Sequence, residues 1–200
     1  WTGLVLMFIV MTADKSGAQL VRTITNYFSY FTIQSNIFAA LSFTFLLRRP
    51  ESGPGKFFAR PAIRTGIALY IAVTGLVYWI ILSPDLHPTG MKRFATTVLH
   101  LVVPVLYLAD WIIFPPEGDL RWRHVPRWLV YPLVFAVYTL VRGALSGFYP
   151  YPFINAAKLG YVRVGLNCLY LLVAMTALGL LFVAADRWIG RRQEASLPGR

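Results

Sequence analysis

A threonine and a histidine lie in apolar stretches of this chain, where side chains able to do chemistry are uncommon. Thr32 belongs to the segment Tyr27–Leu47 and His100 to the segment Phe94–Phe114, each roughly two helical turns from the segment's start. A neutral imidazole, with an ordinary pKa of about 6.5, can accept the proton of a threonine hydroxyl and so activate it as a nucleophile. The pair therefore predicts acyl transfer, with Thr32 attacking and His100 acting as base and then as acid.

Further polar residues share the predicted helix face of Thr32. Ser29, Thr32, Ser35 and Asn36 recur at three- and four-residue spacing, so one stripe of a helix can present all four. Such residues often only hydrogen-bond neighbouring spans together. In the catalytic interpretation Asn36, or a backbone N–H, stabilises the oxyanion, Ser35 and Asn36 line the substrate site, and Ser29 and Ser35 remain alternative nucleophiles.

The helix that carries His100 contains a proline four residues later. Pro104 has no N–H to donate to the carbonyl of His100, so we expect a kink and a partner that compensates for the missing donor. Thr96 and Thr97 share the face of His100. The alternatives are a hinge beside a core histidine and a cavity that orients the imidazole.

Two more polar residues fall at a similar predicted depth. Arg142 in the fifth apolar block could hold a carboxylate head, or its guanidinium could extend to the interface; Asn167 lies in the sixth. Between these blocks, the loop from Gly147 to Asn155 is aromatic and rich in proline. We expect it, through Tyr151 and Phe153, either to anchor helix ends as an aromatic belt or to cover a lipid-facing substrate pocket.

The elements that must position these residues are membrane spans. The chain of 200 residues is 57% hydrophobic and 14% charged, with a mean hydropathy of +0.58, which indicates an integral membrane protein. We predict an all-α bundle of six transmembrane helices forming one domain over residues 1–200, with the first span truncated at its N-terminus. The apolar blocks are Trp1–Thr12, Tyr27–Leu47, Gly66–Leu82, Phe94–Phe114, Trp128–Gly147 and Tyr161–Ala185.

The basic residues predict the orientation of these spans. One set of connections carries twelve Lys and Arg residues and the opposite set six, which places both termini in the cytoplasm. The net charge of +11 lies in short loops beside spans, so we expect contact with anionic lipid headgroups at the cytoplasmic loops and no nucleic acid.

The sequence predicts no metal and no cofactor. Cys168 is the only cysteine, and His87 and His124 fall in loops, so neither a cysteine cluster nor a haem held by two histidines in spans is expected. The function class that competes with a hydrolase is binding or transport of a lipid or small amphiphile without covalent chemistry, with Arg142 as counter-ion.

Several of these motifs resemble a known family. Tyr27-Phe-Ser-Tyr-Phe-Thr-Ile-Gln-Ser-Asn36, His100 with Pro104, and Gly147-Phe-Tyr-Pro-Tyr-Pro-Phe153 look like the androgen-induced and androgen-dependent membrane proteins and their bacterial six-span relatives. The resemblance implies an intramembrane threonine hydrolase of fatty acid esters of hydroxy fatty acids, which enter from the membrane. It puts the nucleophile at Thr32, the histidine at His100 and a Tyr-Pro-Phe motif at Tyr151 to Phe153, and it implies the bacterial inner membrane.

Overall fold

The structure is a computed structural model that describes residues 1–84, 86–116 and 118–196, with side chains to residue 191. It is 83% helical and has no strand among the described residues, so the prediction of an all-α fold is confirmed. The helices are α1 (Thr2–Thr12), α2 (Gly17–Phe28), α3 (Phe31–Arg48), α4 (Gly53–Ala59), α5 (Pro61–Leu82), α6 (Gly90–Ile113), α7 (His124–Ser146) and α8 (Ala156–Ser196), with a short 3-10 turn at Pro152–Ile154.

Several of these helices are long and apolar enough to cross a membrane. By length and composition α5, α6, α7 and α8 qualify, and α2 with α3 adds a fifth candidate if that bent pair is one span. Helix α1 is apolar but has only 11 residues. The structure thus supports a membrane-spanning helical protein, with four or five helices that could be spans; the count of six spans and the position of the termini stay predictions.

The predicted span Tyr27–Leu47 is not one helix. Helix α2 ends at Phe28, Tyr30 is extended with φ −87° and ψ 131°, and α3 starts at Phe31 after a bend of 67°. The side chain of Gln34 donates to the carbonyl of Phe28 at 2.8 Å, which satisfies one acceptor at the broken end. Thr32 therefore lies in the first turn of α3 and not two turns inside one continuous helix.

The described contacts divide the chain into two compact units, Trp1–Phe114 and Pro115–Arg200. The first unit contains α1 to α6, with α5 packed on α3 and α6, and α1 packed on α6. A core cluster links α1, α2, α3 and α6. Its buried members are Leu4, Met7, Tyr27, Ile33, Ala95 and Leu99. That residues 1–200 form one domain stays a prediction.

The second unit is built on the pairing of α7 with α8. Gly160 in α8 has φ 73°, a conformation that favours glycine and that interrupts the helix after its first turn. At the other end of this unit the buried carboxylate of Asp186 accepts the backbone N–H groups of Gly118 and Leu120, both at 2.9 Å. This carboxylate ties the segment before α7 to α8.

An ion pair that the sequence analysis missed joins α5 to α6. Arg64, which was expected in a cytoplasmic loop, lies in the first turn of α5 and donates to the Asp110 carboxylate at 2.8 Å. Hydrogen bonds from Trp111 to Thr65 at 2.9 Å and between Tyr107 and Ser42 at 3.1 Å continue this polar contact along α6. The sequence signal for this ion pair was Asp110, because an acidic residue inside an apolar block needs a partner.

We expect Asp110→Asn to destabilise the protein by about 2 kcal/mol, between the values typical of exposed and of fully buried pairs, because it leaves the Arg64 charge without its counter-ion. Thermal unfolding in detergent measures this loss, and the exchange Arg64→Asp with Asp110→Arg should recover part of it. The matched control is Lys56→Gln, whose pair with Glu51 is exposed and should not matter. Equal stability of Asp110→Asn and wild type would contradict a structural role for the pair.

Candidate active site

The structure brings the two predicted catalytic residues together. Thr32 Oγ1 lies 3.3 Å from His100 Nε2, although 68 residues separate them in the chain. The threonine is buried and the histidine half-buried. The separation is slightly longer than the usual range for nucleophile and base pairs, as is common before substrate tightens the contact.

The second ring nitrogen of His100 fixes the direction of this hydrogen bond. His100 Nδ1 lies 2.9 Å from the backbone carbonyl of Thr96, one turn earlier in α6. A carbonyl can only accept, so Nδ1 must carry the proton and Nε2 is left as the acceptor that faces the Thr32 hydroxyl. The backbone carbonyl thus fixes the tautomer and the orientation of this imidazole, which is one of the two roles of the carboxylate in a serine hydrolase triad.

The compensating partner expected at Pro104 is a tryptophan. The indole N–H of Trp79 in α5 donates to the carbonyl of His100 at 3.2 Å, which supplies a donor where Pro104 has none. The chain around His100 forms a π-helical turn over Val98–Val102, and a second π-helical turn, Tyr78–Leu82, faces it from α5. Such turns occur often at functional sites.

Two residues of α5 lie against His100, one at its ring and one at its backbone carbonyl. The Tyr78 ring stacks on the His100 ring with centroids 4.1 Å apart and planes at 29°. One turn earlier, a Cβ on Gly75 would lie 3.1 Å from the carbonyl oxygen of His100, tighter than an ordinary contact. Glycine at this position therefore lets α5 approach the π-helical turn of α6.

Asn36 links the threonine side of the site to the histidine side. Its Nδ2 donates to the carbonyl of Thr32 at 2.8 Å and to the carbonyl of Leu99, the residue before His100, at 3.2 Å. Both amide hydrogens are engaged in these bonds, so this amide does not act as the expected oxyanion donor in this arrangement. Asn36 Oδ1 is buried and has no hydrogen-bond partner among the described residues.

The alternative nucleophiles have structural partners. Ser35 Oγ lies 2.8 Å from Thr74 Oγ1 and donates to the Thr32 carbonyl at 3.1 Å, which joins α3 to α5. Ser29 caps α2 instead of belonging to the stripe on α3, and its hydroxyl donates to the carbonyl of Thr25 at 2.7 Å. These bonds give Ser29 and Ser35 structural roles in the first unit.

Beside Asn36 the first unit contains a small cavity of about 70 Å³. Its walls are apolar apart from Asn36, and come from α1, α3 and α6. The residues that line it include Leu4, Ala39, Phe43, Leu99 and Val103. Among the described side chains, no three of His, Cys, Asp and Glu are grouped as metal ligands.

The remaining predicted site residues lie in the second unit, where they hold its aromatic loop. The guanidinium of Arg142 lies over the Phe148 ring, 4.6 Å from the centroid. Asn167 Nδ2 donates to the Phe153 carbonyl at 2.8 Å, and the rings of Tyr151 and Phe153 stack with centroids 5.3 Å apart. Their predicted contact with substrate stays a prediction.

The geometry of the first unit is sufficient for proton transfer from a hydroxyl to an oriented imidazole. Sequence reasoning found Thr32, His100 and the need for a partner at Pro104. It missed Tyr78 and Trp79, because only the packing of α5 on α6 identifies them. Comparisons with protein-family models, with curated proteins and with solved structures find no match to this chain.

We expect Asn36→Asp to destabilise the protein more than Asn36→Leu. The aspartate turns acceptor oxygens toward the carbonyls of Thr32 and Leu99 and buries a charge, whereas leucine removes two hydrogen bonds, each worth about 1 kcal/mol, together with the unpaired Oδ1. Thermal unfolding of both variants in the same detergent measures the order. The assigned orientation of the amide would be wrong if the aspartate variant were as stable as the leucine variant.

Proposed function

We propose that this chain is an intramembrane hydrolase of lipid esters, with Thr32 as nucleophile and His100 as base. The observation that carries the proposal is the contact of Thr32 Oγ1 with His100 Nε2 at 3.3 Å, in a ring whose other nitrogen is held by the Thr96 carbonyl. This geometry leaves Nε2 as the acceptor that faces the hydroxyl, which is the arrangement that a general base requires.

The first half of the reaction forms an acyl-enzyme. Thr32 Oγ1 attacks the ester carbonyl carbon while its proton passes to His100 Nε2, and the carbonyl oxygen takes the negative charge of the tetrahedral intermediate. The imidazolium then gives this proton to the alcohol oxygen as the carbon–oxygen bond of the ester breaks. The free alcohol leaves, and the acyl group stays on Thr32.

The second half releases the acid. Water attacks the acyl carbon while His100 Nε2 takes its proton, and the same proton returns to Thr32 Oγ1 as the acyl–threonine bond breaks. The carbonyl of Thr96 accepts from Nδ1 throughout, which keeps Nε2 available as the base. The stacked ring of Tyr78 and the bond from Trp79 to the His100 carbonyl hold the imidazole in place.

The substrate class rests on the resemblance to androgen-induced and androgen-dependent membrane proteins. The proposed substrates are fatty acid esters of hydroxy fatty acids, or similar lipid esters, that enter from the membrane. For the second unit taken by itself, contact of Arg142, Tyr151, Phe153 and Asn167 with a lipid substrate stays a separate prediction.

The proposal includes a topology. It has six spans, counting α1 as the first and the segment Tyr27–Leu47, most of which is α3, as the second, with both termini in the cytoplasm and a location in the bacterial inner membrane. The basic loops on the cytoplasmic side would contact anionic headgroups.

The experiment that tests this function is ester hydrolysis by the purified protein in detergent. With a fatty acid ester of a hydroxy fatty acid as substrate, we expect Thr32→Ala to abolish turnover and His100→Ala to lower kcat by about 10²–10⁴-fold, the usual contribution of a general base. Thr32→Ser should keep measurable activity, because it retains the hydroxyl. A fluorophosphonate probe should label wild type and fail to label Thr32→Ala.

Matched controls separate chemistry from folding. Thr97→Ala removes a hydroxyl from α6, the helix of His100; this hydroxyl donates only to the carbonyl of Arg93, one turn earlier. Ser35→Ala removes an alternative nucleophile. Both should hydrolyse substrate and bind the probe. Thr97→Ala should unfold near the temperature of wild type, and Ser35→Ala at a lower temperature, because it loses the bonds to Thr74 and to the Thr32 carbonyl. Wild type that neither turns over lipid esters nor accepts the probe would overturn the proposal and favour a non-catalytic lipid carrier.

A further inference from the structure

Helix α2 has an apolar side and a polar side. At 100° per residue, its apolar residues fall within about one third of the helix circumference, and its polar residues occupy the opposite side. The apolar residues are Leu20, Val21, Ile24, Tyr27 and Phe28. The opposite side presents Gln19 and Arg22, which are both exposed, with Lys15 just before the helix begins.

The protein covers only part of this apolar side. Tyr27 is buried, and its hydroxyl donates to the carbonyl of Leu4 in α1 at 2.8 Å. Leu20 and Ile24 are half-buried. Val21 and Phe28, at the other edge of the apolar side, are 66% and 50% exposed. One edge of the apolar side is therefore left open to the surroundings of the protein, which for a membrane-spanning protein include lipid.

The direction of α2 indicates which environment this is. The chain bends by 67° between α2 and α3, so when α3 follows the membrane normal, α2 lies within roughly 25° of the membrane plane. If α2 instead formed the first half of a span, Arg22 would enter the hydrocarbon, at a cost of about 2.5–3.5 kcal/mol at its centre. Twelve residues of helix in the plane avoid this cost.

We propose that α2 is an interfacial helix that lies on the phospholipid surface. Val21 and Phe28 enter the boundary between headgroups and acyl chains, while Arg22 and Lys15 contact lipid phosphates. Tyr27 anchors the helix to α1, and the break at Ser29 and Tyr30 turns the chain from the surface into the membrane.

This placement sets the depth of the candidate active site. Thr32 is the second residue of α3, so it lies within one helical turn, about 5 Å, of the start of that helix, which follows the surface helix after two residues. Water reaches this depth without crossing the hydrocarbon. The inference about α2 does not rest on the proposed hydrolase, and its test does not measure turnover.

The test measures the membrane depth of single spin labels in α2. In a Cys168→Ser background, cysteines replace Val21, Phe28, Gln19 and Arg22 one at a time, and a label at Val134, exposed at the centre of α7, serves as the reference within a span. The proteins are reconstituted into phosphatidylcholine vesicles with phosphatidylglycerol. Accessibility to oxygen and to a water-soluble nickel chelate then gives each label's depth.

We expect labels at Val21 and Phe28 to be more accessible to oxygen than to the nickel chelate, and to lie at a shallower depth than the label at Val134. Labels at Gln19 and Arg22 should be more accessible to the nickel chelate. All four labels at the depth of Val134 would make α2 the first half of a bent span. All four in water would make it a surface element without lipid contact. Either result overturns the proposal. If Phe28→Cys does not fold, the depth of the label at Val21 compared with that of the label at Arg22 still distinguishes the three outcomes.

Discussion

One carbonyl oxygen determines how the first unit is built around its candidate site. Pro104 cannot donate to the carbonyl of His100, and in a membrane no bulk water can replace the missing donor. Trp79 of α5 supplies the donor, because its indole N–H donates to this carbonyl. For the indole to reach, α5 must lie close against α6, and the glycine at position 75 permits that approach. The same approach brings the Tyr78 ring onto the imidazole. The defect in the helix is thus the reason that His100 has a defined position.

On the other side of the imidazole, α3 is held by amide and hydroxyl groups rather than by apolar packing alone. Asn36 donates to carbonyls on both sides of the Thr32 and His100 pair, and Ser35 bonds to Thr74 of α5. Each bond contributes little free energy, because the unfolded chain in a membrane also finds partners. Their value is geometric, since together they fix three helices at one level. Small errors in the position of a nucleophile reduce catalysis strongly, so this level is where rigidity is most useful.

The sequence was most informative where a residue type conflicts with its surroundings. A histidine and a proline in an apolar block predicted a defect that needs a partner, and the structure provides it. Asp110 was an equally clear conflict. Its partner Arg64 was assigned to a loop, because the predicted apolar block starts at Gly66, whereas α5 starts at Pro61. The break before Phe31 left no such signal: Tyr27 to Phe31 is rich in aromatic residues and reads as continuous apolar helix. It is fixed by the Gln34 side chain and by the contact of Tyr27 with α1, which only the fold reveals.

The break also changes what the position of Thr32 means for hydrolysis. A threonine at the centre of a span would bind its ester substrate in hydrocarbon. Hydrolysis of the acyl-enzyme would then be slow, because the surroundings exclude the water that it needs. A threonine in the first turn of a helix that starts beside an amphipathic segment has lipid on one side and the interface on the other. The end of a helix that starts there also favours negative charge, as a developing oxyanion requires. An enzyme that uses both a lipid and water needs its nucleophile at the boundary between them. In the proposed arrangement, with α2 on the membrane surface, the bend of 67° between α2 and α3 brings Thr32 to such a boundary.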